Sequence, residues 1–315
     1  MAVNDLIKTT DYNNLRANII DIIGNGSATY GYGQTLQSSD KVNHEKISQN
    51  DWDLLRFDIV NARTHQDGVA PTITDINEGQ LLSFTNNTQY SGLITTAVSN
   101  RFNIGSGRFL TESAVSSTRS TQWNTLVVCE VTATFANANL CRWFFNSGGQ
   151  LRIQSSRTGG ASTAQNNDWS SLTTAAGMQV FGSQTPTAGF SPMNGQNFYR
   201  LTNSYQNFYT LSSSAPYSAN SYNLDAKCDV ADNSAGTATT VFIRVRFVDN
   251  YTDPGITPLV PGPTTATTAD FLPDDVIDGT LTVTVTEKRA TGSLVPSGTF
   301  TITRPTYSIT AIAGT

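Results

Sequence analysis

Charge is what this sequence has least of. Asp, Glu, Lys and Arg make up 14% of its 315 residues, against roughly 25% in an ordinary soluble domain. Ser, Thr, Asn and Gln must therefore cover much of the surface. Two arrangements fit: a surface kept in water by hydroxyl and amide groups, or one largely buried against copies of the same chain. Basic clusters are missing as well. The formal net charge is −5, and Arg101, Arg108, Arg152, Arg157, Arg244 and Arg246 are scattered. A general nucleic-acid binder needs Lys/Arg clusters to displace counterions, so no nucleic-acid partner is expected. Attraction to an anionic membrane surface is disfavoured for the same reason. No apolar stretch approaches the ~20 residues of a spanning helix, so membrane insertion is not expected either. Met1-Ala2-Val3-Asn4-Asp5-Leu6 lacks the basic start and apolar run of a signal peptide. The expectation is synthesis in a cytoplasm, with the sequons at Asn25, Asn86 and Asn250 as chance matches.

Cysteine and histidine are scarce too, with three and two residues. An odd cysteine count without a signal peptide is not a disulfide framework. Buried free thiols at Cys129, Cys141 and Cys228 are the default, and a Cys129–Cys141 bond across a hairpin is the sharper alternative. A metal site wants several His, Cys or acid ligands at short fixed spacing. His44 sits in a polar loop and His65 just past a helical stretch, so His65 reads as a capping or packing residue. Asp274, Asp275 and Asp278 resemble a calcium-friendly oxygen cluster, but without EF-hand spacing. The glycine-rich Gly24–Gly33 follows a helix instead of opening one and lacks a Gly-Lys-Ser/Thr ending, so it is no phosphate cradle. No metal or cofactor is expected. Glycoside hydrolysis needs two positioned carboxylates. Glu130, Asp168 and Asp225 can be named, yet nothing in their context singles them out.

What is present is an echo. Asp11-Tyr12-Asn13-Asn14-Leu15-Arg16-Ala17-Asn18-Ile19-Ile20 is answered by Asp51-Trp52-Asp53-Leu54-Leu55-Arg56-Phe57-Asp58-Ile59-Val60. Leu15, Ile19, Ile22 and Ile23 fall on one helical face, and Leu55, Ile59 and Ala62 repeat the spacing. Thr9 or Thr10 can cap the first helix, and Gly24 ends it. Ser48 with Asp51 resembles a capping box for the second; Gly68 and Pro71 stop it. Residues 1–68 thus read as a helical region. Residues 69–118 are mixed, with a weaker third helix over Asn87–Val98.

From Thr121 the texture turns to strands. Trp123–Phe135, Leu140–Phe145, Gln150–Gln154, Phe198–Thr202, Gln206–Leu211 and Thr239–Phe247 are candidates, giving an antiparallel β domain over 119–249. A proline-rich linker occupies 250–278. In 279–315, Gly279–Thr286 alternates with a Thr face and Thr299–Thr303 answers it. These make a terminal hairpin or two strands that finish the preceding sandwich. The fold class expected is mainly β: an antiparallel sandwich or jelly-roll-like domain preceded by a short helical region with a duplicated helix.

Several phrases carry a resemblance. They are Tyr30-Gly31-Tyr32-Gly33-Gln34, Trp52-Asp53-Leu54-Leu55-Arg56-Phe57-Asp58-Ile59-Val60-Asn61-Ala62-Arg63 with His65-Gln66-Asp67-Gly68, and Phe144-Phe145-Asn146-Ser147-Gly148-Gly149-Gln150-Leu151-Arg152, continued by Ser155-Ser156-Arg157-Thr158-Gly159-Gly160. They resemble virion structural proteins of contractile-tailed phages of marine cyanobacteria, assigned to tail, fibre or neck. The resemblance implies a non-enzymatic virion component made in the host cytoplasm. Its implied partners are other virion proteins and copies of itself.

Within that expectation the helical echo is an assembly device. Tyr12, Leu15, Ile19, Trp52, Leu55 and Ile59 would join neighbouring subunits, because short apolar faces bury better against copies. Residues 1–68 would then be dispensable for folding of the β domain. The alternative is a receptor- or glycan-binding module, for which Tyr199, Tyr205 and Tyr209 would cluster on one surface and Trp123, Trp143 and Trp169 could stack on sugars. A neck or collar position is a further alternative.

Overall fold

The computed structural model describes residues 9–42, 45–77, 84–183, 196–251 and 276–314. His44, Asp274, Asp275 and most of the proline-rich stretch lie outside the described residues.

Three helices come first: α1 (Thr9–Ile23), α2 (Gln49–Asp67) and α3 (Phe84–Ser99). Thr9 and Thr10 lie inside the first turn of α1, and the Gly24 amide donates to the Ile20 carbonyl at its end. At α2 the capping box is formed: Ser48 N–H donates to Asp51 Oδ2 at 2.7 Å, and Asp51 N–H donates to Ser48 Oγ at 3.3 Å. Asp fills the position usually given to Glu, and it still satisfies both orphan amides. Gly68 closes α2 in the left-handed region, φ 81°, where a Cβ would be strained.

The strands are β1 (Phe109–Arg119), β2 (Leu126–Thr134), β3 (Gln150–Thr158), β4 (Met178–Phe181), β5 (Gln206–Ser212), β6 (Ser221–Cys228), β7 (Thr240–Val248), β8 (Thr280–Ser293), β9 (Thr299–Thr301), β10 (Thr306–Ile309) and β11 (Ala313–Gly314). Two helices interrupt them, α4 (Ala138–Asn146) and α5 (Ala164–Ala176). The strands make two antiparallel sheets. The smaller runs β1-β8-β3-β4 with β9 on β8; the larger runs β10-β2-β7-β6-β5 with β11 on β2. The result is a sandwich-like, mainly β fold with a helical N-terminal region.

Alternation sets the inner faces. Val127, Cys129, Val131 and Ala133 of β2 stand opposite Phe247, Val245, Ile243 and Val241 of β7. Tyr222, Leu224, Ala226 and Cys228 of β6 meet the same β7 row from the other side. In the smaller sheet Leu281, Val283 and Val285 of β8 face inward beside Ser155 and Ile153 of β3. A hydrogen bond of 2.9 Å between Ser155 Oγ and Tyr222 OH joins the two sheets. Fully buried Glu287 joins them again, accepting from Tyr307 OH at 2.6 Å while it pairs with Arg289 and Arg304. β8 and β9 form a hairpin, and β8 also lies between β1 and β3.

Two candidate strands prove to be helical. Leu140–Phe145 belongs to α4, capped by the Asn137 side chain on the Leu140 amide at 3.0 Å. Cys141, Phe144 and Phe145 share its buried face, so aromatic content there reflects helical burial, not a pleat. Phe198–Arg200 is a single 3₁₀ turn capped by Asn197. Helix α5 and strands β1, β4, β6, β10 and β11 are additions to the expected elements, while α3 occupies the place of the weaker third helix. All three cysteines are free and buried.

Candidate functional site

The six residues expected to drive assembly are all buried within the chain: Tyr12, Ile19, Leu55 and Ile59 at 0%, Trp52 at 6% and Leu15 at 9% exposure. Tyr12 meets Trp52 edge-on at 5.3 Å, and Trp52 meets Tyr90 of α3 in the same way at 5.7 Å. The Tyr12 hydroxyl donates to the Asp51 carbonyl. Leu15 borders a groove of about 180 Å³ between α1 and α3. The two arginines of the echo have matching duties. Arg16 pairs with Asp40 and donates to the Ser38 carbonyl, and Arg56 pairs with Asp75 at 3.0 Å. Each ties down the segment that follows its own helix.

The loop Gly24–Gln34 is where helices and sheets meet. Asn146 Nδ2, at the end of α4, donates to the carbonyls of Ala28, Tyr30 and Gly31 at 3.0–3.3 Å. Arg142 donates to the carbonyls of Tyr30 and Asn25, and Trp143 Nε1 to Asn25 at 2.9 Å. Tyr199 OH donates to the Ala28 carbonyl. A coil segment packed against other elements needs such partners for the parts of its backbone that water cannot reach. Gly33 lies flat against an indole: a Cβ there would sit 2.3 Å from Trp143 ring carbons, and φ is +69°.

Helix α2 closes the joint. Gln66 Nε2 donates to Tyr32 OH and the Ala97 carbonyl, each at 2.9 Å. Tyr32 OH donates to the Arg101 carbonyl. His65 Nε2 is 2.9 Å from the Ser147 carbonyl, and its ring stacks on Phe300 of β9 at 4.3 Å. The carbonyl fixes the tautomer: Nε2 carries the proton. Complete burial pushes the His65 pKa down to about 3, and the nearby charges of Arg108 and Lys288 push the same way. Burial likewise raises the Tyr32 and Tyr199 hydroxyls above their ordinary values. Each of these shifts favours the neutral ring at neutral pH.

The other candidates are dispersed. Tyr199 is spent on the joint, Tyr209 is buried against Tyr222, and Tyr205 lies over Arg244 at 3.9 Å on the outer face of the larger sheet. They do not form one surface. Trp123 and Trp169 pack together in the core at 5.0 Å. Glu130 accepts from Tyr205, Asp168 from Ser213, and Asp225 from both Arg244 and Arg246. The two guanidiniums hold Asp225 below its usual pKa against the opposing effect of burial. Among the described residues, no group of three or more His, Cys, Asp and Glu could hold a metal ion. No described helix is long and apolar enough to cross a membrane. Arg142, Asn146 and Phe300 escaped sequence reasoning as joint residues. Their partners are backbone carbonyls and rings, which leave no spacing pattern.

No protein-family model, curated protein or solved structure matches this chain.

Proposed function

We propose that this chain is a non-enzymatic structural component of a tailed-phage virion, tail- or fibre-associated, partnered by other virion proteins and by copies of itself. One observation carries the reading. The phrases on which the virion resemblance rests converge in the fold: Tyr30–Gln34, His65–Gln66 and Phe144–Ser147 are bonded into the same joint. The likeness therefore includes residues that set the architecture. The acids that could serve an enzyme are each tied to an internal partner, which suits a building block. Because Tyr12, Trp52 and their neighbours are used up inside the helical layer, docking falls to the outward side of α1 and α3. Helix α3 has no charged residue over its whole length, and little desolvation cost opposes its burial.

Mass spectrometry of purified particles, with the chain traced in an image of the whole particle, tests the assignment. The expected result is a fixed copy number in the mature tail or its fibres. Absence from the mature virion overturns it, and a position at the neck replaces tail by collar.

A further inference from the structure

An Asn-Gly pair, Asn25-Gly26, lies in the loop where helices and sheets meet. Its backbone carbonyl is held twice: Arg142 Nη2 donates to Asn25 O at 3.0 Å and Trp143 Nε1 at 2.9 Å. The Asn25 side chain, in contrast, is exposed and makes no hydrogen bond among the described residues. Asn146, Asn220 and Asn233, each followed by serine, are fully buried with side chains bonded to backbone groups. Asn25 alone of these four is open to water and free to turn.

Both donors act on the peptide group that contains the Gly26 nitrogen. When that nitrogen loses its proton, the charge is shared with Asn25 O, and hydrogen bonds to a charged form favour it. The Gly26 N–H has no acceptor among the described residues, and no Cβ shields it. Arg142 brings a second condition. It is 5% exposed, and its hydrogen bonds run to the carbonyls of Tyr30 and Asn25 and to Asn139 Oδ1, with no carboxylate among the described residues. Burial pulls its pKa down. A buried cation without a counter-charge gains from an anion placed on it.

We propose that Asn25 is a self-modifying site: in the folded protein it converts to isoaspartate, whose carboxylate pairs with Arg142. The deprotonated Gly26 nitrogen attacks Asn25 Cγ. The N–Cγ bond forms, the Cγ–Nδ2 bond breaks, and ammonia leaves with the Gly26 proton. Water then adds to the Asn25 backbone carbonyl carbon of the cyclic imide. The bond from that carbon to the Gly26 nitrogen breaks, the nitrogen keeps one proton of the water, and the new acid gives the other to solvent. The freed carboxylate contains the oxygen that Arg142 and Trp143 already hold, and a guanidinium suits a carboxylate better than a carbonyl. The same two donors that start the reaction therefore select its product. The site is a property of the isolated protein and does not rest on the virion assignment.

The test incubates freshly purified full-length protein at mildly alkaline pH, folded and in guanidinium chloride, and follows it by peptide mapping with mass spectrometry. Mapping separates Asn25 from Asn194-Gly195, which shares the dipeptide. Electron-transfer fragmentation tells isoaspartate from aspartate. Asn25 is expected to lose its amide several-fold faster in the folded protein than in the unfolded one, with a larger share of isoaspartate. Trp143→Phe keeps a ring against Gly33 but loses one donor, and should slow the folded-state conversion about two- to tenfold. Asn25→Gln should melt like the parent and show no conversion at that position. The comparison of folded with unfolded parent stands even if Trp143→Phe does not fold. An Asn25 that keeps its amide in the folded protein while the unfolded chain converts overturns the site. So does folded Trp143→Phe converting as fast as the parent. An isoaspartate share no larger in the folded protein overturns the pairing with Arg142.

Discussion

His65 shows how a single side chain is committed by its surroundings. Its imidazole is sealed between Phe300, Tyr32 and the Ser147 carbonyl, with a pKa near 3. An unfolded histidine titrates near 6.5. Between those values the unfolded chain binds a proton that the folded chain refuses. Stability is therefore fully present above about pH 6.5 and falls as the pH drops towards 3, by up to roughly 1.4 kcal/mol per pH unit. His65→Gln removes that proton. The variant should be less stable than the parent at pH 7, but its stability should decline less steeply between pH 6.5 and 4. Urea unfolding at three pH values in that window measures the slopes. Parallel slopes for the two proteins would rule His65 out as the responsible group. The sequence already marks His65 as a packing residue; the ring that stacks on it, Phe300, comes from a strand far along the chain and has no local signature.

At the scale of elements, the echoed helices are a matched pair whose aromatic residues meet edge-on. Truncating Trp52 to Ala should cost about 3–5 kcal/mol, since a large ring leaves a cavity in a closed layer. Tyr12→Ala should cost a similar amount. Edge-to-face pairs carry about 0.5–1.5 kcal/mol beyond their buried area, so the double variant should be less destabilised than the sum by roughly that much. A double-mutant cycle by chemical denaturation measures it. Strict additivity would mean that the two rings act independently.

Elements with strong periodicity were legible from sequence: α1 and α2 by helical spacing, β2, β7 and β8 by alternation. The failures have physical causes. Leu140–Phe145 is rich in residues that favour strands, but Asn137 caps its start and the apolar residues recur at helical spacing. Helix α5 carries two Asn, two Ser and two Thr, poor helix formers, and is held by Thr163 at one end and Gly177 at the other. Tertiary packing decides such segments, with Trp169 fully buried from α5. The joint was the least legible part. Its phrases could be singled out by resemblance, but the hydrogen bonds that unite them run from Asn146, Arg142 and Gln66 to distant groups.

For the whole molecule, the joint alters what a truncation should do. The sequence suggests a β domain that survives the loss of residues 1–68. In the structure that segment supplies His65 against Phe300, Asn61 to the Val295 backbone and Gly31 to Asn146. Residues 69–315 alone should therefore expose apolar rings and lose cooperative unfolding. Dye binding and a thermal melt would test this. A sharp transition near that of the full chain would restore the independent β domain.

Strand β8 has a consequence for time as well as space. It fills the gap between β1 and β3, two strands that leave the ribosome long before it. Until β8 emerges, both carry unpaired backbone edges, and such edges recruit other chains. β2 waits similarly for β10 and β11. The Ser, Thr and Gln side chains that crowd β1 and β3 would keep half-built sheets in water while the nascent chain waits for its closing strand. Few charges and many hydroxyls suit a protein whose order of synthesis is so different from its order in space.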